Sequence, residues 1–495
     1  MCHHTVYVWA TQQGFSTRKM RQSIILIIYV RDRRIKVKKP IYDWGNQHAT
    51  IFDSYIHALD DTGIRYFILR NYEGLPEYNE SKDIDLIIEP GKYKSAAQLL
   101  LNTFRCHGVE YYYVVKYERV RCWFGMNSTS DFAIHIDLIE GYVNKGFEIF
   151  EFDKLYGNTA AYKEYRVLNQ PYDIAMLLLY KVIGAKELKQ RYRDKISAGY
   201  KSCKNEIRDI LVEVLGSDLA QKVCSKVEAD EYEWIVDHSK VISRTSKKIA
   251  FKKHPISTVV NVMRFLNEKV YRIGICPKKY RKMIALEAPD GTGKTTFIDA
   301  LTVMLAETFV CDIEKMHVYH FRPSVLPNLG AVGEKAGVMK QDTNFENPHR
   351  NKAANPLSSF VRMGYYWLDY LIGGAICIRK DVQFDKITIF DRYIYDFIID
   401  PLRSRINLPR CMRTAFSKMV QQPRIVFVLD APADVIYSRK KELTLDEIQR
   451  QLEEFDKLSN LGDNFYKINA NQTPEKMVLD AKKIILDKFC LKIQK

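Results

Sequence analysis

The residues best suited to chemistry lie at 288–296: Ala288-Pro289-Asp290-Gly291-Thr292-Gly293-Lys294-Thr295-Thr296. The apolar run Met283 to Leu286 enters this loop, and apolar residues at helical spacing (Phe297, Ile298, Leu301, Leu305) follow it. Strand, glycine-rich loop and helix, in that order, are the context of a phosphate-binding P-loop. Glycines let backbone N–H groups turn inward onto phosphate oxygens, and the helix N-terminus adds partial positive charge. Lys294 has the reach for the β- and γ-phosphates, and the Thr295 hydroxyl can ligate Mg²⁺. Ala288 stands where the general pattern has its first glycine. A bound nucleoside triphosphate is expected, with ATP and Mg²⁺ as the pair.

A second constellation is Ile387-Thr388-Ile389-Phe390-Asp391-Arg392-Tyr393, an apolar strand ending in Asp-Arg. Ligands of open α/β folds bind at the carboxyl edge of the sheet. There Asp391 can hold Mg²⁺ or accept a proton, and Arg392 can clamp a phosphate with two N–H bonds. A third is the strand Ile425 to Leu429, then Asp430-Ala431-Pro432, then the cations Arg439, Lys440 and Lys441. Cations over the phosphates serve phosphoryl transfer because charge spreads over the transferred oxygens. Arg322, Arg392, Arg403 and Arg405 are more than a neutral alcohol needs, so a phosphorylated small-molecule acceptor is expected.

A separate acidic constellation lies upstream. Lys82-Asp83-Ile84-Asp85-Leu86-Ile87-Ile88 puts two carboxylates on one face of a strand, because side chains alternate with period two. Ala133-Ile134-His135-Ile136-Asp137-Leu138-Ile139 puts a third in another strand. Charged groups inside apolar strands are costly to bury without a partner. Asp83, Asp85 and Asp137 could share one or two Mg²⁺ ions through oxygen ligands, the geometry of two-metal nucleotidyl transfer.

The elements that must position these groups follow from periodicity. Strands are expected at Tyr66–Leu69, Ile84–Ile88, Tyr111–Val115 and Ala133–Ile139, and helices from Pro171 onward. From about 278, strand and helix patterns alternate, which predicts a parallel sheet with helices on both faces. The fold class is α/β: a doubly wound parallel P-loop sheet, a helical middle region and an N-terminal α+β domain. Four segments are expected: a basic extension at 1–45, an α+β domain at 46–155, a helical connector at 156–277 and a P-loop domain at 278–495. Pro277 and the cations Lys278, Lys279 and Arg281 mark the last boundary.

A chain of 495 residues is too long for one ordinary core. Its net charge of +16 suits an anionic partner without choosing one. No nucleic-acid motif accompanies the lysines, so nucleic acid is not the expected partner. Ten cysteines without a C-x-x-C pair fit a reducing cytoplasm. The apolar run Ile24 to Val30 is too short to span a membrane. Arg18, Lys19 and Arg21 before it and Arg31 to Lys39 after it argue against a signal peptide, and Met20 is an alternative start.

The last two-fifths of the chain, through Leu286 to Thr296, Asp391-Arg392-Tyr393 and Asp430-Ala431-Pro432 leading to Arg439, resembles the thymidylate-kinase-like branch of the nucleoside monophosphate kinases. The resemblance implies that Asp290 faces the acceptor, that Asp391 and Arg392 handle metal and acceptor phosphate with Tyr393 beside them, and that Arg322 contacts the acceptor; Arg403, where the chain departs from the family, is an acceptor candidate by its charge alone. Gly291 stands where some members carry an arginine, which implies a catalytic cation from the lid, with Arg439 in that place. The Ala-Tyr-Gln segment that holds thymidylate in the family is absent after Tyr393. The family is often dimeric, which implies a homodimer.

The acidic segment resembles the nucleotidyltransferase superfamily, without its upstream Gly-Ser; Arg70 and Asn71 stand there instead. Chains that pair these two parts resemble bacterial proteins of surface-polysaccharide or nucleotide-sugar metabolism. A bifunctional cytoplasmic enzyme, an ATP-dependent phosphotransferase with a second, nucleotidyltransferase activity, is the leading expectation. A nucleotide-gated regulatory protein with a degenerate nucleotidyltransferase module is the alternative.

Overall fold

The computed structural model describes residues 25–30, 33–38, 44–79, 81–274, 282–327, 329, 355–459 and 462–494. Met20, Pro277, the cations Lys278, Lys279 and Arg281, and the basic residues Arg18, Lys19, Arg21, Arg31 and Lys39 lie outside them. The strands Ile25–Val30 and Arg33–Lys38 form an antiparallel hairpin within one unit, Met1–Lys39. Everything from Pro40 to Lys495 forms a second unit, which holds every site considered below.

The second unit contains an eight-stranded mixed sheet. Its central strands are Ile84–Ile88, Ala133–Glu140 and Val120–Met126. Helices Asn46–Asp61 and Tyr93–Cys106 cover one face, where Ile84, Leu86 and Ile88 alternate inward with Ile134, Ile136 and Leu138. The other face is shared. Phe67, Ile87 and Ile139 pack on the helical middle region, while Tyr113, Cys122 and Phe124 pack on the C-terminal region. Two strands, Thr159–Tyr162 and Tyr165–Leu168, fall where the sequence predicts the helical connector. They form an edge of this sheet, with Val167 paired to Ile68, because Tyr165, Val167 and Leu168 bury there. The helical run that follows these strands begins at Gln170, where the Asn169 side chain caps the first turn and Pro171 fits it.

The C-terminal region holds a five-stranded, fully parallel sheet. The spatial order is Met316–His320, Ile387–Asp391, Met283–Glu287, Ile425–Asp430 and Phe465–Asn469. Its three inner strands read as near-continuous apolar runs because both their faces are covered, while the edge strands Met316–His320 and Phe465–Asn469 are mixed. Ile284, Leu286, Ile389 and Phe427 face the helices Lys294–Thr308 and Pro474–Phe489. Met283, Ala285, Phe390 and Val428 face Pro356–Gly373 and Leu445–Ser459. Chain order reverses beside the strand Met283–Glu287, the place where such sheets open a ligand crevice.

The two sheets share a core. Phe309 and Phe489 of the C-terminal region cluster with Tyr113, Val115 and Phe124 of the N-terminal sheet. The chain's last strand, Leu491–Lys492, pairs antiparallel with Tyr112 and Tyr111.

Candidate active site

Two neighbouring strands deliver the principal groups to one edge. Leu286 lies in register with Asp391, and Asp391 with His320 on the strand beyond. The Arg392 N–H donates to the Leu286 carbonyl at 3.0 Å. The P-loop and the Asp-Arg pair therefore leave the sheet side by side. Gly291 has φ +95°, and a Cβ there would lie 3.1 Å from the Ile436 carbonyl and from Lys440 Cβ. The loop thus tucks under the end of helix Ala433–Arg439.

Asp290 is the hub. Its Oδ1 accepts from Arg392 Nη2 at 2.6 Å and lies 3.4 Å from Lys294 Nζ. Its Oδ2 accepts from Arg403 Nη1 at 2.8 Å. Burial pushes the carboxyl up, but the three cations win and hold it far below the usual carboxylate range. Arg392 is buried and also donates to Asp396 at 2.6 Å. Its φ of +72° is uncommon for a side chain of this size, and the two ion pairs hold it there. Lys294 donates to the Ala288 and Pro289 carbonyls at 2.9 and 3.1 Å. Burial, then the Arg392 charge, pull its ammonium down to about 8.

Asp391 is buried, with Oδ2 2.8 Å from His320 Nδ1 and no hydrogen-bond partner on Oδ1. Burial raises its carboxyl; the His320 contact, Lys294 and Arg392 outweigh that and hold it low. An ionised carboxylate with one unused oxygen, beside a loop whose Thr295 is exposed, is an all-oxygen donor set. It fits Mg²⁺. Glu287, at the end of the P-loop strand, is fully buried and accepts from the Tyr393 N–H at 2.8 Å. Burial and then Asp396 push its carboxyl well above the usual range.

Among the residues expected at the site, Asp290, Lys294, Asp391, Arg392 and Arg403 come together. Gly291, Thr292, Gly293, Thr295 and Thr296 complete the loop and first helical turn; Thr292 Oγ1 donates to the Pro289 carbonyl at 2.8 Å. Three do not join the cluster as expected. Tyr393 is fully buried and donates its hydroxyl to the Gln421 carbonyl at 2.5 Å, so it packs rather than faces a ligand. Arg322 is buried, donates to Asp369 at 3.0 Å and lies over the Tyr366 ring. Arg439 donates to the Ala470 carbonyl at 3.1 Å. His320 and Asp396 were not singled out from sequence. The signal for His320 is its place at a strand end in register with Asp391; the signal for Asp396 is its spacing, an acid four residues after Arg392.

No family model matches the chain, and no curated protein does. One solved structure similar to it is thymidylate kinase from Ehrlichia chaffeensis. The identity is 16% and the TM-score 0.28, over 41% of this chain and 97% of that one. The chemistry of the site rests on its own residues.

The acidic constellation is also assembled. Asp85 and Asp137 are register partners on parallel strands, and ligand atoms of Asp83, Asp85 and Asp137 lie within 4.8 Å of one another. Arg70 is already there: its Nε donates to Asp85 Oδ2, and its guanidinium lies 4.7 Å from the Tyr180 ring centre. Burial raises the Asp85 carboxyl to about 6 even against that cation. Asp83 accepts from Ser81 Oγ at 2.6 Å. The carboxylates fit a hard cation by type, but Arg70 supplies positive charge from within the chain. No helix of the described residues is long and apolar enough to cross a membrane.

Proposed function

We propose that this chain is a cytoplasmic, ATP-dependent phosphotransferase of the nucleoside monophosphate kinase type whose acceptor is itself phosphorylated. The observation that carries this reading is the Asp290 carboxylate held by Lys294, Arg392 and Arg403 at the carboxyl edge of a parallel sheet. One carboxylate fixes three cations at the place where phosphate charge develops, so little reorganisation is needed during transfer. In this reading Lys294 and the loop N–H groups hold the ATP β- and γ-phosphates. Mg²⁺, held through Thr295 and Asp391, would screen their charge. Arg392 and Arg403 grip the acceptor phosphate. One of its oxygens attacks the γ-phosphorus in line, the bond to the β-bridging oxygen breaks, and ADP leaves. Arg439 serves as the lid cation once it is released from the Ala470 carbonyl. The resemblance to a family that is often dimeric supports a homodimer.

The acceptor side lacks the thymidylate-holding segment, so sugar phosphates stand beside nucleoside monophosphates as candidates. The test is an ATP-consumption screen over both classes, with Lys294→Ala as control. Stimulation by a phosphate ester, lost in the variant, supports the reading; faster turnover of neutral sugars than of any phosphate ester overturns it.

For the N-terminal part, Arg70 on Asp85 favours a degenerate nucleotidyltransferase module over a second active site. Mg²⁺-dependent nucleotide binding that is lost in Asp83→Asn would contradict that.

A further inference from the structure

We propose that Cys122, His135 and Asp137 form a binding site for one divalent cation of the zinc class. The inference does not depend on the kinase reading. Register puts the three side chains together: Cys122 pairs with Asp137 and Phe124 with His135 on antiparallel neighbours. Residues two apart share a face, so sulfur, imidazole and carboxylate all project from the same side of the sheet. One ligand atom from each lies within 4.8 Å of the other two. His135 Nε2 is 2.8 Å from Asp137 Oδ1, and the ring stacks on Phe124 at 4.1 Å, which fixes its orientation. Cys122 and Asp137 are buried and His135 is nearly so. All three sit on sheet strands, so little ordering remains for binding to impose.

The donor set names the cation. Magnesium takes oxygen ligands, whereas thiolate and imidazole select zinc-class ions. Asp85 is tied to Arg70 and Asp83 accepts from Ser81, and neither brings the sulfur or nitrogen donor that selects a zinc-class ion. Only Asp137 is common to the oxygen-only set and to this one. Binding requires the thiolate, so the Cys122 proton leaves to solvent as the metal–sulfur bond forms. Three protein ligands leave one tetrahedral position open, as in sites that bind water or a substrate atom.

The full-length chain, stripped with chelator and titrated with Co²⁺, tests this. We expect about one equivalent bound, with visible bands of a tetrahedral site and a near-ultraviolet thiolate charge-transfer band. Cys122→Ser removes the charge-transfer band, His135→Gln lowers affinity at least ~10-fold, and Asp83→Asn keeps the band. Excess Mg²⁺ leaves the bands in place. Circular dichroism controls for folding, and should Cys122→Ser fail to fold, His135→Gln decides. Absence of bound Co²⁺, a charge-transfer band that survives Cys122→Ser, unchanged affinity in His135→Gln, or displacement by Mg²⁺ would each overturn the proposal.

Discussion

Lys294 carries the sharpest consequence of burial. Its ammonium titrates near 8 in the free chain, against 10.5 for an ordinary lysine. Between those values the unfolded chain binds more protons, so this group adds stability as pH rises through the window and removes it as pH falls through 8. The effect on ligand is opposite in sign. The charged form binds phosphate, so ATP affinity falls as pH rises past about 8, and binding above that pH takes up a proton. Calorimetry in two buffers of different ionisation enthalpy measures that uptake; Lys294→Arg abolishes it. The Arg392–Asp396 pair gives a second expectation at this scale. Both groups are buried, and breaking such a pair strands a charge. Asp396→Asn is expected to cost about 3 kcal/mol in urea denaturation, with phosphotransfer falling further because Arg392 loses one of its two anchors.

Elements decide which of these residues meet. The strand–loop–helix unit around Lys294 was legible in sequence because an apolar run, two glycines and a 3.6-residue period lie within 25 positions of one another. The Asp83, Asp85 and Asp137 face was legible because strand alternation is a local rule. Arg403 meets Asp290 and His320 meets Asp391 across about 70 to 110 residues of sequence, brought together by parallel strand pairing that no local pattern encodes, whereas Asp396 lies only four residues from Arg392. The strands Thr159–Tyr162 and Tyr165–Leu168 escaped because four residues are too few to show a period. Tyr393 misled because a motif position says which residue follows Arg392, and packing decides where its ring goes. Gly291 tests the loop's fit against its neighbouring helix. Gly291→Ala meets both a φ of +95° and the end of Ala433–Arg439. It is expected to weaken ATP binding about 10-fold or more while costing roughly 1–3 kcal/mol, read by calorimetric titration alongside thermal melting.

At the scale of the molecule, the acidic cluster and the P-loop belong to one unit with a shared core. Phe489 packs with residues of both sheets at the junction, just before the strand that joins the N-terminal sheet. Phe489→Ala is expected to cost about 3–5 kcal/mol and to shift one cooperative transition, seen alike by tryptophan fluorescence and circular dichroism. Separate transitions by the two probes would contradict a shared core. The central claim is transfer of phosphate from ATP to a phosphorylated acceptor at Asp290, Lys294, Arg392 and Arg403. Its most direct test is ³¹P NMR of the chain with Mg·ATP and the best acceptor from the screen. The account predicts that ADP and a new phosphoanhydride resonance grow in equal amounts, and that both vanish in Lys294→Ala. ADP accompanied only by inorganic phosphate, with or without acceptor, would contradict it.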